Sequence, residues 1–158
     1  MGAVLYDPTD HQLLYPASAV PEDSVRTWLP KISYMGQLEL LAAPFGLATW
    51  AKRLVDRPIL LWIDNDRAAA NLVEGYSPKT DSSSIVGSFW LMAAQLKASI
   101  YIDRVESESN LSDGPSRFEF DLIQSLGGVW GPPNFSSLTS PPIDPSKWFG
   151  APFGGGEP

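Results

Sequence analysis

The chain has 158 residues, 44% of them hydrophobic, which is enough for one domain with a single core. It contains no cysteine and one histidine, His11, so disulfide scaffolds and thiolate or histidine-rich zinc sites are excluded and any metal must be held by oxygen. The net charge of −7 argues against a stand-alone nucleic-acid binder, because such proteins carry a basic face that neutralises phosphates. There is no run of about 18 apolar residues and no basic, apolar leader, so a soluble intracellular protein, cytoplasmic or nuclear and away from membranes, is expected.

In chain order, GAVLY reads as a strand, DPTD as a turn and LLYPASAVP as an extended partner, which predicts a β-hairpin over residues 2–20. A short acidic linker with Glu22 and Asp23 follows. From Ser33 to about Leu54 the apolar residues recur at helical spacing, with Ser33 expected as the N-cap and Lys52 and Arg53 in the last turn. Pro44 should kink or split that helix. ILLWID after Pro58 has the continuous apolar character of a strand buried on both faces of a parallel sheet. DRAAANLVE and SSSIVGSFWLMAAQLK read as helices and SIYIDRV as a second strand, which together make a right-handed βαβ unit. FEFDLIQSL is a further helical piece. The expected domain spans residues 1–127. Residues 128–158 are rich in Pro, Gly and Ser and read as a disordered tail, whose Trp148, Phe149 and Phe153 could dock on the domain or on a partner.

Three acids stand out by position. Glu39 lies early in the long helix among Leu38, Leu40 and Leu41. Asp64 closes the strand ILLWID, at the strand end where open α/β sheets place ligand-binding groups. Asp113 lies in NLSDGPSR, where a loop meets a helix start. Each also has an ordinary role open to it: Glu39 as a solvated helix residue, Asp64 as a helix cap and Asp113 as a cap or turn residue. Carboxylates without His or Cys among them suit Mg²⁺ or Mn²⁺.

QLELLAA around Glu39, LLWIDNDRAAANLVEGYS around Asp64 and RVESESNLSDGPSR around Asp113 resemble, in order and spacing, three motifs of the RNase H domains of retroelement reverse transcriptases. The resemblance covers roughly residues 2–120. It implies an RNase H-like three-layer α/β fold, a mixed sheet flanked by helices. It also implies hydrolysis of the RNA strand of an RNA–DNA hybrid, with two Mg²⁺ (or Mn²⁺) ions about 3.5–4 Å apart held by Glu39, Asp64 and Asp113. The partner implied, besides the hybrid, is the reverse transcriptase portion of a larger polyprotein. The alternative is a non-catalytic RNase H-like remnant that serves as a structural or interaction module.

The family carries a fourth acid, an Asp on its first, central strand. With GAVLY aligned to the family's second strand, that first strand and its Asp have no counterpart, and the domain reads as truncated at its N-terminus. If GAVLY is instead the first strand, Asp7 is the fourth acid; otherwise Asp7 is a turn residue. Asn65-Asp66 suits a helix start, Asp103 a solvent-facing strand position and His11 an exposed turn, while Trp50, Trp62 and Trp90 are expected in the core.

Overall fold

A computed structural model of the chain describes residues 1–26, 28 and 33–135. It is a mixed α/β fold with two small sheets. The N-terminal hairpin forms as its sequence predicts. Strand β1 (Leu5–Asp7) pairs antiparallel with β2 (Gln12–Tyr15), Leu5 opposite Leu14 and Asp7 opposite Gln12. Side chains build the turn: the Asp7 carboxylate accepts from the Thr9 amide at 3.0 Å and that of Asp10 from the Gln12 amide at 3.2 Å. In place of the expected linker, Glu22–Arg26 forms a short helix, α1, with an Arg26–Glu22 ion pair one turn apart at 3.2 Å.

The long predicted helix is broken, but not at its proline. Helix α2 (Met35–Thr49) carries Pro44 buried in its interior, and the break falls at Trp50, before α3 (Ala51–Leu54). A proline removes one ladder bond, and the remaining bonds on either side hold the helix together when its ring is packed. Ser33 is not the N-cap: Tyr34 takes that place without a side-chain bond, and the Ser33 hydroxyl accepts from the Met35 amide at 3.4 Å.

Strand β3 (Pro58–Ile63) pairs in parallel with β4 (Ser99–Arg104), Ile59 opposite Ile100, across a crossover made of α4 (Asp66–Glu74) and α5 (Thr80–Gln95). α4 ends on Gly75 at φ 69°, a left-handed conformation that costs glycine nothing. The Trp90 indole of α5 donates to the Leu72 carbonyl of α4 at 2.8 Å and ties the two helices together.

Leu40, Leu41, Leu47 and Ala48 of α2 pack with Leu72 of α4 and with Ile85, Val86, Phe89 and Met92 of α5. Leu5, Leu14, Ile59, Leu61, Ile63, Ile100 and Ile102 rest on the same cluster, so both sheets lie over one helical layer. The opposite face of β3 and β4 is open, which corrects the expectation of a strand buried on both faces and of a core Trp62. Leu60 is 68% exposed, Trp62 55% and Tyr101 64%. Under the first sheet, Tyr15 points away from the cluster and meets Phe120 and helix α7 (Asp121–Ser125), with Gln124 donating to the Tyr15 hydroxyl at 3.0 Å.

Described structure continues beyond residue 127. Val129–Trp130 forms β5, parallel to β2, and beyond it the Phe135 ring stacks on the buried Phe45 at 5.1 Å. The expected tail beyond Phe135, with Trp148, Phe149 and Phe153, lies outside the described residues.

The strand order is β5-β2-β1 in one sheet and β3-β4 in the other. β1 runs opposite to β3. Arg57, just before β3, grips Asp7 at the end of β1, whereas Gly2, just before β1, sits on Ser112–Ser116 beyond β4. A Cβ at Gly2 would stand 2.4 Å from the Ser116 nitrogen and 2.9 Å from the Ser112 oxygen, both backbone atoms that cannot swing aside. Gly2→Ala is therefore expected to destabilise the fold by about 1–3 kcal/mol in chemical denaturation. Gly87→Ala, where a Cβ meets nothing within 4 Å, should stabilise slightly.

Candidate functional site

Glu39 comes from the second turn of α2, and Asp64 follows the last residue of β3. Asn65 joins them. Its side-chain oxygen accepts from the Ala68 amide at 2.8 Å and so caps α4, while its amide nitrogen donates to Glu39 Oε2 at 2.6 Å. The cap of α4 is thus Asn65, not Asp64, and the Asp64 carboxylate is left for the site. Partial burial pushes the Glu39 carboxyl up, and the negative charge of Asp64 pushes it further the same way. Two neighbouring carboxylates of which one resists ionisation form an oxygen-only pair that a hard divalent cation would relieve.

Asp113 is placed differently. It is the first residue of helix α6 (Asp113–Ser116), and its carboxylate pairs with Arg117 at 3.1 Å. The preceding turn is held by Asn110, whose side-chain oxygen accepts from the Ser112 amide at 3.0 Å and hydroxyl at 2.7 Å. Among the described residues, no group of three or more acids or histidines is gathered closely enough to hold a metal. The structure therefore brings Glu39 and Asp64 together and does not add Asp113 as a third member.

Asp7 is not the fourth acid. It is 5% exposed, and both carboxylate oxygens accept from Arg57 at 3.0 Å, with Arg53 adding a bond at 3.4 Å. Arg53 also bridges to Asp10 at 2.9 Å and Gln12 at 2.8 Å. This clamp sits where β3 begins, whereas Asp64 lies where β3 ends. At a rise of about 3.3 Å per residue the strand holds the two ends roughly 20 Å apart. The Arg57 guanidinium, helped by the Thr9 amide, holds the Asp7 carboxyl far below the ordinary carboxylate range.

Asp66, the first residue of α4, forms an ion pair with Arg104, which also bonds Glu106 at 2.6 Å. Asp103 and His11 are exposed, as their positions suggest. The sequence reading missed the double role of Asn65 and the two-arginine clamp. Asn65 carried a visible signal as a helix cap, but its bond to a residue 26 positions away did not.

Comparison of the chain with protein-family models, with curated proteins and with solved structures finds no match. Among the described residues no helix is long and apolar enough to cross a membrane.

Two outcomes follow from these charges. Asp7 is depressed, so it binds its proton at lower pH when folded than when unfolded. Its stabilisation is complete above the ordinary pKa of 3.8 and is lost as pH falls below that value. Asp7→Asn should lower the melting temperature by several degrees at pH 7, and the gap to wild type should narrow below pH 4. Glu39 is raised, so its ionisation opposes folding at neutral pH and the penalty fades as pH falls towards its ordinary value of 4.5. Glu39→Gln should raise the melting temperature by a few degrees at pH 7 in chelator, with the gain shrinking near pH 4.

Proposed function

We propose that this chain is an RNase H-like domain whose Glu39 and Asp64 hold divalent cations for hydrolysis of the RNA strand of an RNA–DNA hybrid. The observation that carries this reading is the adjacency of those two carboxylates at the C-terminal end of a parallel strand, one on α2 and one after β3. The small mixed sheet that carries the hairpin, ahead of a parallel βαβ unit, suits it as well.

The donor set fits Mg²⁺ or Mn²⁺: oxygen ligands only, with a partly buried carboxyl whose charge is disfavoured until a cation is near. Bound there, such ions supply the positive charge that phosphodiester hydrolysis needs at its attacking and leaving oxygens. The chain's own contribution is positional. Asn65 fixes the Glu39 carboxylate against the start of α4, and the helix cap fixes Asn65 in turn. Asp113 can join only by giving up Arg117, and the half-exposed pair makes that exchange cheap. With a net charge of −7, the basic grip on the hybrid belongs to the reverse transcriptase portion of a larger polyprotein.

A second reading, a non-catalytic RNase H-like module, is favoured by one observation: Asp113 is paired with Arg117 and stands apart from the other two acids. Cleavage of an end-labelled RNA–DNA hybrid in Mg²⁺ separates the two. The hydrolase reading expects cleavage of the RNA strand that falls at least about 100-fold in Asp64→Asn and in Glu39→Gln, a loss of roughly 2.7 kcal/mol of transition-state stabilisation. Folded protein that leaves the hybrid intact, with or without the substitutions, would establish the module instead.

A further inference from the structure

Strand β4 is bonded to β3 on one side; among the described residues its other edge has no strand partner. The Ser99 amide donates to the Arg57 carbonyl at 3.2 Å and the Val105 amide to the Ile63 carbonyl at 3.0 Å, so the odd-numbered residues of β4 turn their backbone groups to β3. Alternation then turns those of Ile100 and Ile102 to the open side. The amides at both ends of that edge are already used: that of Ala98 donates to the Ala93 carbonyl at 3.0 Å, and that of Arg104 to the Asp103 carboxylate at 2.8 Å. Ile100 and Ile102, each with one N–H and one C=O, remain to be satisfied. Neither is charged and neither is proline, the devices that commonly guard an edge. Tyr101 between them is 64% exposed, next to Leu60 of β3 at 68%. Alongside, Val73, Trp90, Ile100, Tyr101 and Ile102 line an apolar cleft of about 220 Å³.

We propose that this edge is a homodimer interface, in which β4 pairs antiparallel with β4 of a second copy about a twofold axis at Tyr101. That register sets Ile100 opposite the partner's Ile102 and Ile102 opposite the partner's Ile100, so every free N–H and C=O of the edge finds a bond. Moving the axis to Ile100 or to Ile102 would set one of these carbonyls against the Ala98 or the Arg104 amide, both already bonded. The demand of the edge is thus met by the edge itself, which is the condition for an isologous interface. The residues after Phe135 are poorer occupants, because Pro141, Pro142, Pro145 and Pro152 lack the N–H that a pairing strand needs. Side chains follow the same symmetry. Tyr101 meets its own copy, which extends the apolar row of Leu60 and Tyr101 across four strands, and the Ser99 hydroxyl faces the carboxylate of the partner's Asp103. The two apolar clefts meet across the axis, where Val73, 64% exposed in the single chain, gains cover. The inference is independent of the carboxylate pair.

The test is sedimentation equilibrium of the full chain over a concentration series, with amide hydrogen exchange read in parallel. A dimer is expected, with exchange at Ile100 and Ile102 slowing as it forms. Tyr101→Lys and Tyr101→Glu change an exposed side chain and should leave the circular dichroism of the chain unchanged. Each should weaken dimerisation at least about tenfold, because the axis sets two like charges opposite each other. An equimolar mixture of the two variants should restore association, because Lys then faces Glu. A monomer throughout the series, a dimer indifferent to both substitutions, or a mixture that fails to recover would overturn the proposal.

Discussion

Burial of α2 is the constraint on which the rest of the molecule depends. Leu40 and Ala48 are 1% exposed, and the same helix carries the packing of α5, of the β3–β4 sheet and of the N-terminal hairpin. Each full burial of a leucine-sized side chain contributes about 1.5–3 kcal/mol, so no single edge contact competes with this shared face. Once α2 is fixed, the βαβ unit has little choice of position. Its inward isoleucines and leucines rest on the same cluster, with α4 and α5 of the crossover packed into it.

The position of Glu39 follows from that packing. It shares its turn of α2 with Leu40 and Leu41, so burying those neighbours draws the carboxylate to the end of β3, within reach of Asn65 and in the field of Asp64. The raised Glu39 carboxyl opposes folding at neutral pH even though it accepts from the Asn65 amide. The acids that serve stability behave in the opposite way. Asp7 is buried against two arginines and held ionised, and Asp66 is paired with Arg104. That contrast between Glu39 and the ion-paired acids is what supports the proposal of a cation site.

Much of this was legible in the sequence. The hairpin, the strand closed by Asp64, the crossover helices and the parallel return strand all follow from apolar periodicity and turn residues, because those signals are local. Asn65 as a cap was readable for the same reason. Other features depend on partners distant in sequence. The helix breaks at Trp50 and continues through the buried Pro44, an outcome that local periodicity does not report. The exposure of Trp62 and Leu60 reflects an outer face that no described element covers, and periodicity cannot report which face lacks a partner. β5 was lost in a Gly- and Pro-rich stretch because a two-residue strand leaves no pattern. At the site, position singled out Glu39, Asp64 and Asp113 and the family resemblance implied that all three meet, whereas the Arg117 bond that occupies Asp113 and the arginines that occupy Asp7 depend on side-chain geometry.

The central claim is that Glu39 and Asp64 form a cation site. Titration of Mn²⁺ into isotope-labelled protein, read by paramagnetic broadening of the backbone amides, tests it most directly. The account predicts that residues 38–40 and 64–66 broaden first and together, that excess Mg²⁺ restores them, and that Asp64→Asn abolishes the effect. Broadening centred on an exposed acidic stretch such as residues 106–108, unchanged in that variant, would contradict it.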